Sequence, residues 1–120
     1  MNNPRKRTKA TRSNELSTCQ VYAIRLRPSA LEDPKFKAAN PGYLPNSALY
    51  YIGMSSLDPA VRMAQHLAGI NASKVAHRHL LALDMAVVPT RKPTLRTWAL
   101  KHERQLAKDL RAQGLGIWQA

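Results

Sequence analysis

Two short runs of β-forming residues, Cys19 to Leu26 and Ala48 to Met54, constrain this chain more than any other feature. The first, Cys-Gln-Val-Tyr-Ala-Ile-Arg-Leu, is closed by Pro28 and reads as a strand. Strand alternation puts Tyr22, Ile24 and Leu26 on one face and Val21, Ala23 and Arg25 on the other. The second carries Tyr51-Ile52-Gly53 at its end. Between them, Pro28 to Ser47 hold Pro28, Pro34, Pro41 and Pro45 together with Asn40 and Gly42, a long irregular excursion with room for a short helical turn within Leu31 to Ala39. A loop of that length allows antiparallel pairing of the two strands, and in a small domain it is usually functional or mobile.

A helix follows the second strand. Ser55, Ser56 or Asp58 can cap it, Pro59 suits its first turn, and Gly69 suits its end. At about 100° per residue, Val61, Ala64, Leu67 and Ala68 fall together and are expected to pack, while Arg62 and His66 share another face and are displayed. Ser73 to His79 reads as a short helix and Leu83 to Val88 as a strand. Pro89 to Pro93, with Arg91 and Lys92, is a basic loop. Thr94 is placed to cap a long helix running to about Gln113 and stopping at Gly114. Its apolar stripe is Leu95, Trp98, Ala99, Leu106 and Leu110, with Trp98 and Trp118 read as core. Glu103 falls near the edge of that stripe, where a carboxylate is either paired or a ligand, because burying it alone is costly. Leu115 to Trp118 reads as a closing edge strand. His77 and His79, two residues apart, point away from each other on a helix and read as surface or phosphate-contacting groups.

The whole is expected to be one α/β (α+β) domain over residues 17–120, a small three-stranded, mainly antiparallel sheet flanked by helices, preceded by a disordered basic tail over residues 1–16. That tail contains Arg5, Lys6 and Arg7, which could lie along phosphates. Lysine and arginine total 19 against 7 acidic residues, a net charge of +12. Residues 17–120 retain 14 basic against 6 acidic residues, a net of +8. Such a balance favours polyanionic partners, nucleic acid first, although a ribosomal-type protein or an anionic membrane surface fits the same charge. Cys19 is the single cysteine, which excludes an intramolecular disulfide and a cysteine-based zinc site. It reads as a small buried side chain. No apolar run is long enough to span a membrane and no secretory signal is evident, so a reducing, cytoplasmic setting is expected.

In order along the chain, a strand with Tyr22, a strand ending Tyr51-Ile52-Gly53, a helix with Arg62 and His66 and a late helix with Glu103 resemble the GIY-YIG nuclease superfamily. Within it the chain is most similar to small single-domain bacterial proteins with an Asn-Pro-Gly-Tyr insertion, here Asn40 to Tyr43. The resemblance covers roughly residues 19–118. The second motif is complete, and the first matches in part, as Gln20-Val21-Tyr22 without the leading glycine. The 28 residues between Tyr22 and Tyr51 exceed the usual spacing, and the late asparagine of the family has no clear equivalent between Gly116 and Gln119.

The resemblance implies hydrolysis of DNA phosphodiesters with one divalent ion, Mg2+ or Mn2+. It places Tyr22 and Tyr51 near the attacking water, Arg62 on the scissile phosphate, His66 in proton transfer and Glu103 on the metal. These roles are chemically coherent. Negative charge grows on the non-bridging oxygens during in-line attack, and a fixed guanidinium and a divalent cation both stabilise it. A tyrosine with its ordinary pKa is a poor base at neutral pH, by roughly 4 kcal/mol, unless positive charge lowers that value. Arg62 and the metal are candidates to do so, and a neutral His66 could take the proton directly or through a tyrosine hydroxyl.

The expected substrate is duplex or branched DNA, with Arg5, Lys6, Arg7, Lys74, Arg91 and Lys92 as phosphate contacts. One site in a small domain implies nicking, or a homodimer to cut both strands. The same features read more plainly, with Arg62 and His66 as a solvated face and Glu103 in a salt bridge, give a non-catalytic nucleic-acid-binding module on the same fold.

Overall fold

The computed structural model describes residues 17–89 and 91–119. The tail with Arg5, Lys6 and Arg7 lies outside the described residues. Strand β1 (Thr18–Leu26) is the centre of the fold. Strand β2 (Leu49–Ser55) pairs with it antiparallel, setting Tyr22 opposite Gly53 and Ile24 opposite Tyr51. Strand β3 (Leu80–Leu83) pairs antiparallel on the other side of β1, and the two-residue β4 (Thr94–Leu95) pairs with its start. Strand β5 (Gly116–Gln119) closes the far edge parallel to β2, aligning Tyr51 with Trp118.

Among the described residues the result is a mixed five-stranded sheet in an α+β domain, not the expected three strands. Two local expectations change, and the second of them adds strand β4. The third strand lies earlier than expected, because Asp84 accepts a hydrogen bond from the Ala86 amide and opens a 3-10 turn over Met85–Val87 where the strand was placed. Thr94 does not cap a helix but pairs with Cys19 in β4, and the helix begins at Arg96 without a side-chain cap.

Among the described residues, four α-helices accompany the sheet: α1 (Pro34–Ala39), α2 (Pro59–Ala68), α3 (Lys74–His79) and α4 (Arg96–Ala112). None is long and apolar enough to cross a membrane among the described residues. Helix α4 returns the chain for the parallel β2–β5 pairing, as a crossover must. The alternation along β1 separates two cores. Cys19, Val21 and Ala23 join Tyr50, Ile52 and Ile117 against Ala99, Leu106, Ala107 and Leu110 of α4. Tyr22, Ile24 and Leu26 join Tyr51 with Phe36 of α1 and Val75 and Ala76 of α3.

The proline-rich excursion is more ordered than its composition implies. Asp33 caps α1 through the Lys35 amide, and Asn40, buried at the end of that helix, turns back to the sheet. Its amide nitrogen donates to Phe36 O and Ile117 O, and its oxygen accepts from the Ile117 amide and Arg111 Nε. Asn40 thus takes the place of a neighbouring strand beside β5 and satisfies the Ile117 amide, while the Ile117 carbonyl also accepts from Arg111 Nη2.

Helix α2 starts as the sequence allows, with Asp58 accepting from the Ala60 amide and Gly69 ending it at φ 75°. Its orientation is reversed from expectation. Val61 and Leu67 are exposed, whereas His66 is fully buried and Arg62 and Met63 are half-buried. The helix packs its Arg/His face onto the sheet, because that face meets the aromatic rings of Tyr22 and Tyr51. Trp98 is likewise exposed, with the Lys101 ammonium 4.7 Å from its ring, and Trp118 is half-buried against Phe36.

Candidate active site

The site grows from the β1–β2 register. Tyr22 faces Gly53 across the ladder, and a Cβ at Gly53 would stand 2.8 Å from the Tyr22 hydroxyl. The glycine of the Tyr-Ile-Gly triplet is therefore the space in which the Tyr22 ring lies. Tyr51, two residues earlier on β2, faces the same side, with ring centroids 6.2 Å apart. Helix α2 then sets His66 across both tyrosines, edge-on to Tyr51 at 5.2 Å and tilted against Tyr22 at 5.9 Å.

A hydrogen bond of 2.8 Å joins Tyr22 Oη and His66 Nε2. Among the described residues, His66 Nδ1 is buried without a hydrogen-bond partner. His77 bridges from α3 to the His66 carbonyl through Nδ1 at 2.9 Å and holds the end of α2 in place.

Arg62, one turn before His66, is held in a fork. One guanidinium nitrogen donates to Gln65 Oε1 at 2.7 Å and to Ile70 O at 3.3 Å, and the other donates to Asn71 O at 2.8 Å. Its charge reaches all three rings. Burial pulls the His66 imidazole down to about 4, with the charges of Arg62 and His77 adding to it, so His66 is neutral near pH 7. Burial also raises Tyr22 well above the usual tyrosine range, reinforced by Tyr51 and opposed by Arg62. Tyr51 is raised for the same first reason, with Tyr22 and Arg62 opposing and the Glu103 charge adding. Arg62 thus does not make either tyrosine more acidic than free tyrosine. Desolvation outweighs it, and both hydroxyls stay protonated near pH 7.

Glu103, 2% exposed, lies on the buried stripe of α4, further inside than its expected edge position. Its Oε2 accepts from Gln119 Nε2 at 2.9 Å. Burial raises its carboxyl above the ordinary glutamate value, while the Gln119 bond and the Arg104 charge oppose that rise. Gln119 is the site residue that sequence reading missed. The signal available was a carboxamide on the last edge strand, where the resembling family often has an asparagine.

Glu103 reaches the tyrosine–histidine cluster through its charge on Tyr51, and Lys74, Arg91 and Lys92 are not part of that cluster. Lys74 is exposed at the start of α3 and lines a cleft with Arg78 and Trp118. Arg91 donates to Val88 O at 3.4 Å and lines a separate recess with Asp58 and Met85, and Lys92 is exposed on the same loop. Among the described residues no group of three or more His, Cys, Asp or Glu side chains converges as a metal site. A divalent ion here would have Glu103 as its protein carboxylate, with water and substrate oxygens supplying the other ligands, an arrangement magnesium tolerates.

Comparison of the chain with family models, characterised proteins and solved structures returned no match.

Proposed function

We propose that this protein is a GIY-YIG-type endonuclease that hydrolyses DNA phosphodiester bonds with one divalent ion, Mg2+ or Mn2+. The observation that carries this reading is the Tyr22–His66 hydrogen bond of 2.8 Å, set beside Tyr51 and within the field of Arg62. A neutral imidazole bonded to a tyrosine hydroxyl is a proton relay. As the hydroxyl takes a proton from the attacking water, it passes its own to Nε2. His66 starts as a weak base first because it is buried, with the Arg62 charge adding to that effect. A phosphate bound at Arg62 offsets that charge, so His66 gains basicity when substrate is present.

Arg62 is oriented by Gln65 and the carbonyls of Ile70 and Asn71, so its charge is fixed in place before the reaction. Glu103, held by Gln119, is the residue that would carry the ion. When bound, the ion would supply Lewis-acid stabilisation of the pentavalent phosphate. The test is incubation of purified protein with supercoiled and linear DNA in Mg2+ or Mn2+. Conversion of supercoiled to nicked or linear DNA supports the reading, and an absence of cleavage of duplex, branched and single-stranded DNA with either ion sinks it.

One observation favours a second reading, a nucleic-acid-binding module without catalysis. Both terminal nitrogens of Arg62 are engaged by the protein's own acceptors, which competes with phosphate binding. On that reading DNA binds with a steep salt dependence and is never cut.

A further inference from the structure

A cleft of about 800 Å³ lies between the 3-10 turn Pro28–Glu32 with the start of α1 on one side and α3 on the other, with Trp118 contributing to its wall. Trp118 is the register partner of Tyr51, and Tyr22, Tyr51, Val75 and Trp118 belong to one side-chain cluster. The cleft therefore adjoins the candidate site on the same face of the sheet. Its volume is at the large end of the ~300–1,000 Å³ usual for ligand pockets.

The lining mixes three chemistries. Lys35, Lys74 and Arg78 are exposed cations, and His79 is tied to Ser29 Oγ at 2.9 Å. Glu32 is an exposed carboxylate in the same lining. Asp33 also lines the cleft but is committed to capping α1. Trp118 stacks on Phe36, at 6.2 Å and 19° between ring planes, which holds the indole rigidly while part of it remains accessible. A groove for a regular duplex needs cations that track the backbone, and carboxylates there are unfavourable. A nucleotide taken out of a helix needs a flat apolar surface for the base, cations for its phosphates and a carboxylate that can accept from an exocyclic amine.

We infer that this cleft receives unpaired nucleotides of a DNA strand beside the cutting site, so that the preferred substrate is a duplex bearing a single-stranded flap or branch. The inference rests on the nucleic-acid reading above and names the substrate class of that site. It is independent of the metal, because the cleft residues bind without it.

The test measures binding in EDTA to three labelled DNAs of one sequence: a single strand, a flapped duplex and a blunt duplex. It uses the full chain carrying Trp98→Phe, which leaves Trp118 as the sole tryptophan. Stacking of a base on an aromatic ring implies about tenfold or more tighter binding of the flapped than the blunt duplex, with quenching of Trp118 emission at saturation. Lys74→Ala with Arg78→Ala changes exposed side chains without touching the Trp118–Phe36 stack, and it abolishes the preference. Equal affinity for flapped and blunt DNA overturns the inference. So does unchanged Trp118 emission, or a preference that survives the double substitution. Cleavage is scored separately with Mg2+ or Mn2+. Flap preference without cleavage defeats the nuclease reading and leaves the cleft standing, whereas cleavage without flap preference does the reverse.

Discussion

Gly53 sits directly across the β1–β2 ladder from Tyr22, and the space a Cβ would need there is taken by the Tyr22 hydroxyl at 2.8 Å and Cζ at 2.9 Å. Tyr22 is 1% exposed and its hydroxyl is bonded to His66, so the ring cannot swing into solvent to relieve the clash. Gly53→Ala is expected to destabilise the fold by about 1–3 kcal/mol, the usual range for overpacking. Because relief must move Tyr22 off His66, cleavage should fall more steeply than stability at a temperature where the variant is folded. Urea unfolding and a nicking assay on the same preparation measure both, and a Gly53→Ala protein with wild-type stability would contradict the geometry.

His66 makes stability depend on pH with a definite sign. Its folded pKa is about 4, against 6.5 for the free side chain, so between these values the unfolded chain binds the extra proton. The stability associated with neutral His66 is therefore complete above about pH 6.5 and is lost as pH falls toward 4. The full shift corresponds to about 3 kcal/mol. Glu103, raised by burial, contributes the opposite slope near its own pKa, so the measurement is a difference. The gap in unfolding free energy between wild type and His66→Phe should shift by that amount in favour of the wild type from pH 4 to pH 7. A gap independent of pH would mean that His66 titrates normally.

Arg62 couples to His66 through charge, and that coupling can be read without any DNA. Arg62→Ala removes the cation that helps depress the imidazole, so the His66 pKa should rise from about 4 toward its ordinary value, as followed by NMR titration. Losing the hydrogen bonds to Gln65, Ile70 and Asn71 should also cost about 1–2 kcal/mol of stability. Arg62→Lys keeps the charge but not the planar fork. It should leave the His66 pKa low while reducing cleavage about 100-fold, the loss typical of one misplaced charge-stabilising donor.

The Asn40 side chain uses all four of its bonds at the edge of β5, two of them to the backbone of Ile117. Asn40→Ala strands the buried Ile117 amide, while the Ile117 carbonyl keeps its bond from Arg111 Nη2, and should cost about 1–3 kcal/mol. Hydrogen exchange localises the effect. The β5 amides should exchange faster while those of β1 keep their protection, and uniform loss across the sheet would argue against a local edge role.

The strand pair and the order of parts were legible because strand alternation and turn residues are local signals: Tyr22, Ile24 and Leu26 do share one face, and Asp58, Pro59 and Gly69 do bound α2. The orientation of α2 was not legible. Amphipathic reading assumes that the apolar stripe meets the core, yet Val61 and Leu67 are exposed while Arg62 and His66 turn inward. The interior surface opposite this helix is itself polar at its centre, made of two tyrosine hydroxyls, and only the tertiary pairing of Tyr22 with Tyr51 reveals that. Trp98 misled for a different reason, since it is exposed and the Lys101 ammonium lies over its ring. Gln119 was invisible as a partner of Glu103 because 16 residues and a change from helix to strand separate them.

Glu103 offers the test that separates catalysis from architecture. Its carboxylate is buried, its charged form is disfavoured by desolvation, and Gln119 donates to one of its oxygens. Glu103→Gln keeps a carbonyl oxygen for the Gln119 amide and removes the charge. If Glu103 serves the fold alone, cleavage should change only in step with folding, whichever way the exchange of a buried charge for a neutral isostere moves stability. If it holds the divalent ion, cleavage should fall by at least about 100-fold, the scale of a Lewis acid's contribution, while the protein stays folded at the assay temperature. The two readouts must diverge for the nuclease reading to stand. Unimpaired cleavage by Glu103→Gln would remove the metal from Glu103, and parallel loss of folding and cleavage would make the residue structural.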